Sequence, residues 1–301
     1  MSTGIIHQRY FNKLIRTLVR PFRKVLPEGL YFSVNGTIKI DLGEGKSMFF
    51  HGNATSNLVR LLFWYGIKGF EYDEYKIFSQ VIKSANVLFD IGANLGYYSI
   101  VAKKFNPQLQ VVAFEPFPSV YNYLKINLRI NNLDEELRAE QLALSSSSGT
   151  ARFYVSKNER MDDIADQLVG DGSLSSNVNQ NPNKISFDVK TETLDNYVLN
   201  NFKSSKLVDF IKIDTEATEH LVFQGAENIL RTHRPIIMCE IIKNQTEQEL
   251  HTIFNRHKYL YYRILSNGLR RMDRFVIENP KDDYFLVPEE KTDLVKKYIV
   301  K

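Results

Sequence analysis

Beyond residue 85 short apolar runs alternate with longer stretches in which apolar residues recur at helical spacing. The pattern predicts strands at 86–90, 110–114, 137–143, 207–213, 235–240, 259–265 and 283–287, and helices at 96–104, 117–131 and 216–232. Short strands separated by helices predict an α/β fold, a mostly parallel sheet with helices on both faces. Residues 156–184 break the rhythm. They are rich in Ser, Asn, Asp and Gly, and they predict a loop. Loops of that length inside a domain are usually lids or binding loops, or else disordered.

The first part of the chain reads differently. Residues 30–50 alternate weakly and contain Asn35-Gly36, a strong signal for a hairpin turn. Residues 56–83 are helical in period, with Phe63, Trp64, Tyr65 and Phe70 as an aromatic cluster. Packing explains that cluster better than stacking on a sugar ring. Across residues 5–26, Phe11, Leu14, Ile15, Leu18, Phe22 and Val25 form an apolar stripe. Arg9, Lys13, Arg16, Arg20, Arg23 and Lys24 fill other positions, and no acid precedes Glu28. Pro21 should kink or divide this helix. Such a helix can associate weakly with an anionic membrane surface, but the simpler expectation is docking on the domain with the basic face in water. The expected organisation is an extension over 1–84 and a nucleotide-type domain over 85–301.

Bulk properties narrow the class. With 43% apolar and 25% charged residues in 301, the chain has the composition of a globular protein with a full core. A net charge of +4 is too small to suggest a nucleic-acid partner. The single cysteine, Cys239, excludes an intrachain disulfide and favours a reducing, cytoplasmic setting. No run of 18 apolar residues and no signal peptide are apparent.

Candidate chemistry lies at the strand ends, because ligands of open α/β sheets bind beyond the carboxyl ends of the strands. The first strand ends on Asp90, the second on Glu115, and two later ones on Asp214 and Glu240. In "VLFDIGANLGYYSI", Gly92 lets the chain turn sharply, and Gly96 should let a ligand approach the next helix. Glu115 follows Gly92 by 23 positions (115 − 92), a spacing suited to a carboxylate that accepts from ribose hydroxyls. Yet Asn94 stands where a dinucleotide turn would have a glycine, and Asp90 would repel a diphosphate. A ligand with an adenosine end and a cationic end suits both acids, which points to S-adenosyl-L-methionine. The candidate cofactor residues are Asp90, Gly92, Ala93, Asn94, Gly96, Glu115, Pro116 and Ala143.

The segments "FDIGANLGYYS", "VVAFEPFPSVYNYLKINL", "TLDNYV", "DFIKIDTEATEHLVFQGAENIL" and "RPIIMCEI" resemble, in the same order, those of the FkbM-type methyltransferases. The resemblance covers about residues 70–290. It implies a class I Rossmann-like fold with a seven-stranded sheet whose last strand is antiparallel. It also implies S-adenosyl-L-methionine-dependent O-methylation of hydroxyls, often on sugars or secondary metabolites, so the expected partner is a small-molecule or glycan acceptor. Glu71 and the segment 170–177, "GDGSLSSN", correspond to family positions near the active site. One departure stands out: Ala217-Thr218 replaces a glycine and a small residue, and alanine is unsuitable if the backbone there needs a positive φ.

Transfer to a hydroxyl calls for a base. Asp214, Glu216 and Glu240 are the candidates by position. Lys212 shares a strand face with Asp214 and should be paired. Two nearby carboxylates can hold a divalent cation, but no strong ligand spacing appears, so no metal is expected. The histidines lack partner spacing, and His220 and His233 are expected at the surface. Two other readings compete. A nicotinamide-dependent oxidoreductase would share the sheet and the ribose acid, and Tyr121 and Lys125 form a Y-x-x-x-K pair, though far from where a catalytic pair belongs. A non-catalytic protein on the same fold is suggested only by Ala217-Thr218.

Overall fold

The computed structural model describes residues 9–22, 25–27, 31–156, 168, 170–176, 184–202 and 207–300. The chain opens with α1 (Arg9–Val19), a hairpin of β1 (Gly36–Gly43) and β2 (Lys46–Gly52), then α2 (Asn57–Tyr65) and α3 (Tyr72–Val81). Alternation follows: β3 (Val87–Ile91), α4 (Tyr97–Phe105), β4 (Gln110–Phe114), α5 (Pro118–Ile130) and β5 (Leu137–Glu140). An excursion through β6 (Ala143–Leu144), β7 (Gly149–Ser156) and β8 (Lys184–Glu192) leads to α6 (Leu194–Asn201). The remainder is β9 (Phe210–Ile213), α7 (Glu219–Gln224), β10 (Ile236–Ile242), α8 (Glu247–Arg256), β11 (Tyr259–Leu265), β12 (Gly268–Met272), β13 (Lys281–Pro288) and β14 (Ile299–Val300).

The main sheet runs β14-β12-β11-β13-β10-β9-β3-β4-β5. Strands β3, β4, β5, β9 and β10 are parallel, and β13 is antiparallel to both β10 and β11. That is the expected seven-stranded, mostly parallel α/β sheet, extended at one edge by β12 and β14 to nine strands. The order reverses at β3, which pairs with β4 on one side and β9 on the other. Ligand clefts in doubly wound sheets open at such a reversal. Successive residues of the central strands enter opposite cores. Leu88, Val111, Phe210 and Met238 pack on the face that carries α4 and α5. Phe89, Val112, Ile211 and Cys239 pack on the face that carries α6, α7 and α8. A strand buried on both faces reads as a continuous apolar run, hence "VLFDI". Apolar residues of β1, β2, α2 and α3 belong to the α4–α5 core.

Several expectations change. The hairpin turn is Glu44-Gly45, with φ of 50° and 69°, whereas Asn35-Gly36 leads into β1. The expected strand 137–143 divides, because Ala143 leaves the main sheet to pair with β8 in a second sheet, β6-β8-β7. The expected helix 216–232 is only α7 followed by one wide turn. Trp64 is buried, stacks on Tyr31 at 4.2 Å and donates to the Phe32 carbonyl at 3.1 Å, so it packs.

Helix α1 docks with the opposite face to the one expected. Asn12 and Arg16 are buried. The Asn12 amide donates to Ser33 O at 2.9 Å and accepts from Asn35 N at 3.0 Å, and Arg16 donates to Thr37 O at 3.2 Å. These bonds satisfy carbonyls and an amide on the approach to β1, which an apolar face could not do. Residues 5–8 and 23–24 of the predicted helix lie outside the described residues.

Helix α5 holds the hairpin to the sheet through two asparagines one turn apart. Asn127 accepts from His51 N at 2.6 Å and donates to His51 O at 3.1 Å and Leu95 O at 3.0 Å. Asn131 accepts from Phe49 N at 2.9 Å and donates to Phe49 O at 2.6 Å. Each amide pairs with one residue of the β2 edge as a neighbouring strand would. Asn127→Ala should therefore remove three hydrogen bonds to backbone groups. The expected loss is about 3 kcal/mol or more in urea unfolding, and a loss below about 1 kcal/mol would show that the amide contacts are incidental.

Candidate functional site

The cleft is built by two strand ends in contact. Gly92 ends β3 with φ +75°, and a Cβ there would lie 1.8 Å from the Asp214 carbonyl oxygen after β9. Only glycine permits that approach. The N–H groups of Gly92 and Ala93 donate to Phe114 O at 3.0 and 2.9 Å, fixing the turn to the neighbouring strand. Asn94 follows at φ +50°, a conformation asparagine tolerates better than most residues. Gly96 differs from its expected role. A Cβ there would meet Leu124 Cδ1 of α5 at 2.6 Å, so the space it leaves admits a neighbouring helix and not a ligand.

Glu115 ties two turns together. Its Oε2 accepts from Asn94 N at 3.0 Å and its Oε1 from Phe117 N at 2.9 Å. Burial pushes its pKa up to about 7, against the lowering effect of those two bonds. It is less dispensable to the fold than a strand-end acid ordinarily is. The cleft beside it opens to solvent and holds about 60 Å³ of enclosed space. Gly92, Asn94, Glu115, Pro116 and Ala143 line it, together with the apolar Phe117, Val120, Leu142 and Phe153. Asp214, Thr215, Glu216 and Thr218 line another part of the wall.

Asp90, Ala93 and Gly96 are not among the lining residues. Asp90 points to the α4 side of the sheet, where it is buried and accepts from Ser99 Oγ at 2.6 Å. Burial raises its pKa to about 6. The described part of the polar stretch contributes Gly170, Gly172 and Leu174 to the wall. Ser173, from "GDGSLSSN", donates to the Glu216 carbonyl at 2.7 Å and pairs with Tyr154 through backbone bonds of 2.8 and 2.9 Å.

Beside the cleft lies a dense charge cluster. Lys212 Nζ is 3.4 Å from Asp214 and 5.2 Å from the centre of the Tyr98 ring, and Tyr98 donates to Glu71 at 2.6 Å. Lys281 meets Glu240 at 2.6 Å. Glu71, Asp214 and Glu240 offer carboxylate oxygens within 4.8 Å of one another. Such a group can hold a divalent cation, although Lys212 and Lys281 already bring positive charge to two of its members. Of the three candidate bases, Asp214 and Glu216 line the cleft. Glu240 does not; it is buried against Lys281. Burial, then Asp214, pushes Glu216 up to about 8. Burial, then Asp214 and Asp283, pushes Glu240 up to about 10. Lys281 and Asp283 escaped the sequence reading. Their signal was position: the first residues of an antiparallel strand lie at the carboxyl edge of its parallel neighbours. Tyr121 and Lys125 form only a cation–π contact of 4.9 Å on α5.

Glu216 and Ala217 both have positive φ, 54° and 67°. The departure at Ala217 therefore falls where glycine would be unstrained.

The Methyltransferase FkbM domain family matches residues 90–271. Methyltransferase sdnD of Sordaria araneosa is 26% identical over 155 residues, 46% of this chain and 60% of that protein. Methyltransferase 1 of Beauveria bassiana (strain ARSEF 2860) is 26% identical over 149 residues, 47% of this chain and 58% of that protein. The chain thus spans about 60% of the length of these curated relatives. Among solved structures, Methyltransferase FkbM from Methylobacillus flagellatus KT is 14% identical, with a TM-score of 0.43, over 71% of this chain and 50% of that one. The O-methyltransferase from Bacillus cereus, in complex with SAH, is 13% identical, with a TM-score of 0.40, over 71% and 80%.

Two outcomes follow from the geometry. A carboxylate whose folded pKa is raised contributes stability below its unfolded pKa, and that contribution is lost as pH rises through the folded value. For Glu216 the window runs from the ordinary 4.5 to about 8. The melting temperature of the unliganded protein should fall across that window, with a shallower slope for Glu216→Gln; identical slopes would remove Glu216 as a source. Ala217→Gly should hold or raise stability, by up to about 1 kcal/mol, because relief of strain offsets the added chain entropy. A loss of about 1 kcal/mol or more in the same melts would mean the positive φ carries no strain.

Proposed function

The chain belongs to the FkbM family of S-adenosyl-L-methionine-dependent methyltransferases, and from that premise we propose that it methylates a hydroxyl of a small molecule, with a sugar or glycan as the acceptor class. The observation that carries the hydroxyl reading is Glu216, a cleft-lining carboxylate whose pKa is pushed up to about 8. A base with a pKa near the working pH combines availability with driving force. An amine, once neutral, would need no such group at the start of the reaction.

The donor set fits the cofactor. Glu115 would accept from the ribose hydroxyls, and Pro116 beside it offers no competing N–H. Phe117, Val120, Leu142 and Ala143 would enclose the adenine. Asp214 and Glu216 would face the cationic end. S-adenosyl-L-methionine supplies an electrophilic methyl on a sulfonium leaving group. Glu216 would take the proton of the acceptor hydroxyl. Lys212, 3.4 Å away, holds Asp214 in place, so Asp214 orients the acceptor and Glu216 accepts the proton. Glu240, tied to Lys281, holds the wall behind them.

The test is methyl transfer from labelled S-adenosyl-L-methionine to a panel of sugars, glycans and amines. Glu216→Gln should lower kcat by about 100-fold while the acceptor KM stays within a few-fold. Transfer to amines alone would overturn the hydroxyl reading. Unchanged single-turnover rates in Glu216→Gln would return the role of base to Asp214.

A further inference from the structure

Helix α1 is amphipathic in reverse. At about 100° per residue, Asn12 and Arg16 lie on one side of the helix and Leu14 and Leu18 on the other. The polar side is docked: Asn12 is fully buried and Arg16 is 8% exposed. Burial even lowers the Arg16 pKa from its ordinary value, so this orientation is electrostatically unfavourable for that residue. Ile15 is half-buried and Val19 packs against the core, but the rest of the apolar side faces outward. Leu14 is 55% exposed, Leu18 63%, Phe22 60% and Val25 79%. A terminal helix that only needed anchoring would bury the leucines and leave the arginine in water.

The charge of the segment indicates what covers it. The sequence brings Arg9, Lys13, Arg20, Arg23 and Lys24 to this segment besides Arg16, and no acid occurs before Glu28. On the same wheel Arg9, Lys13 and Arg20 fall toward Arg16, so it is the net positive charge of the whole segment, next to an exposed apolar stripe, that matches a surface apolar inside and anionic outside. A second copy of the chain meeting stripe to stripe would oppose like charges across a twofold axis. We propose that α1 and the turn after it form a docking face for anionic lipid bilayers, with Leu14, Leu18, Phe22 and Val25 entering the acyl boundary and the segment's net positive charge favouring anionic headgroups. Among the described residues no helix is long and apolar enough to cross a membrane, so the attachment is peripheral and reversible. It brings the cleft to a lipid surface, whatever acceptor the enzyme uses.

Flotation of the full chain with vesicles of phosphatidylcholine, with and without phosphatidylserine, tests this. The anionic vesicles should carry the protein at low salt and lose it as salt rises. Leu18→Glu and Phe22→Glu should each reduce partitioning by at least about tenfold. Their melting temperatures should stay unchanged, because neither side chain is packed. Leu18→Trp should show a blue-shifted emission on anionic vesicles only, a readout that stands even if a glutamate variant folds poorly. Absence of binding, equal binding to both vesicle types, or variants that float like the parent would overturn the proposal. So would self-association in sedimentation that the same variants abolish, since a second copy would then be the occupant.

Discussion

Lys212 carries an ammonium in the central strand of a parallel sheet, 3% exposed. Burial alone would depress it, but Asp214, Glu71, Asp283 and Glu240 outweigh burial and hold it above its ordinary value. An isolated charge at that depth would cost several kcal/mol, so the strand ends around it must supply acids. They supply more than it needs. Lys212 and Lys281 share the edge with Glu71, Glu74, Asp214, Glu216, Glu240 and Asp283. Burial, and after it the neighbouring acids, pushes Glu74 up to about 7 and drives Asp283 well above its ordinary range. A pocket that is short of positive charge suits a cationic cofactor, and its Glu216 carboxyl is pushed up to about 8, first by burial.

The extension before the sheet is part of this site. Glu71 precedes α3 in a left-handed conformation, φ 41°, and reaches the cluster through Tyr98. Its position depends on the packing of α3 against α4, and the hairpin beneath is secured by Asn127 and Asn131. The same extension presents the apolar face of α1 outward. One segment of chain thus completes the charge cluster and supplies the outward apolar face of α1.

Much of this was legible in the sequence because it followed from short-range rules. Strand ends on Asp90, Glu115, Asp214 and Glu240 marked the edge, and Gly92 marked the turn. What escaped depended on partners distant in the chain. Asp90 occupies the right strand end, but alternation sends it to Ser99 and away from the cleft. Gly96 makes room for Leu124, a contact no local pattern contains. Asn35-Gly36 carries a turn signal, yet register placed the turn at Glu44-Gly45. The docked face of α1 could not be foreseen either, because periodicity describes a helix's faces without saying which one finds hydrogen-bond partners. Lys281 and Asp283 joined the site only through the antiparallel pairing of β13 with β10.

The central claim is that the cleft is a proton-loaded, cation-seeking site. Calorimetry of S-adenosyl-L-methionine and of its neutral thioether product near pH 7, repeated in buffers of different ionisation enthalpy, measures the protons released on binding. The account predicts release with the sulfonium ligand, because a bound cation lowers the raised carboxylates, and clearly less with the thioether. Equal proton release by both ligands, or tighter binding of the thioether at every pH from 6 to 9, would contradict it.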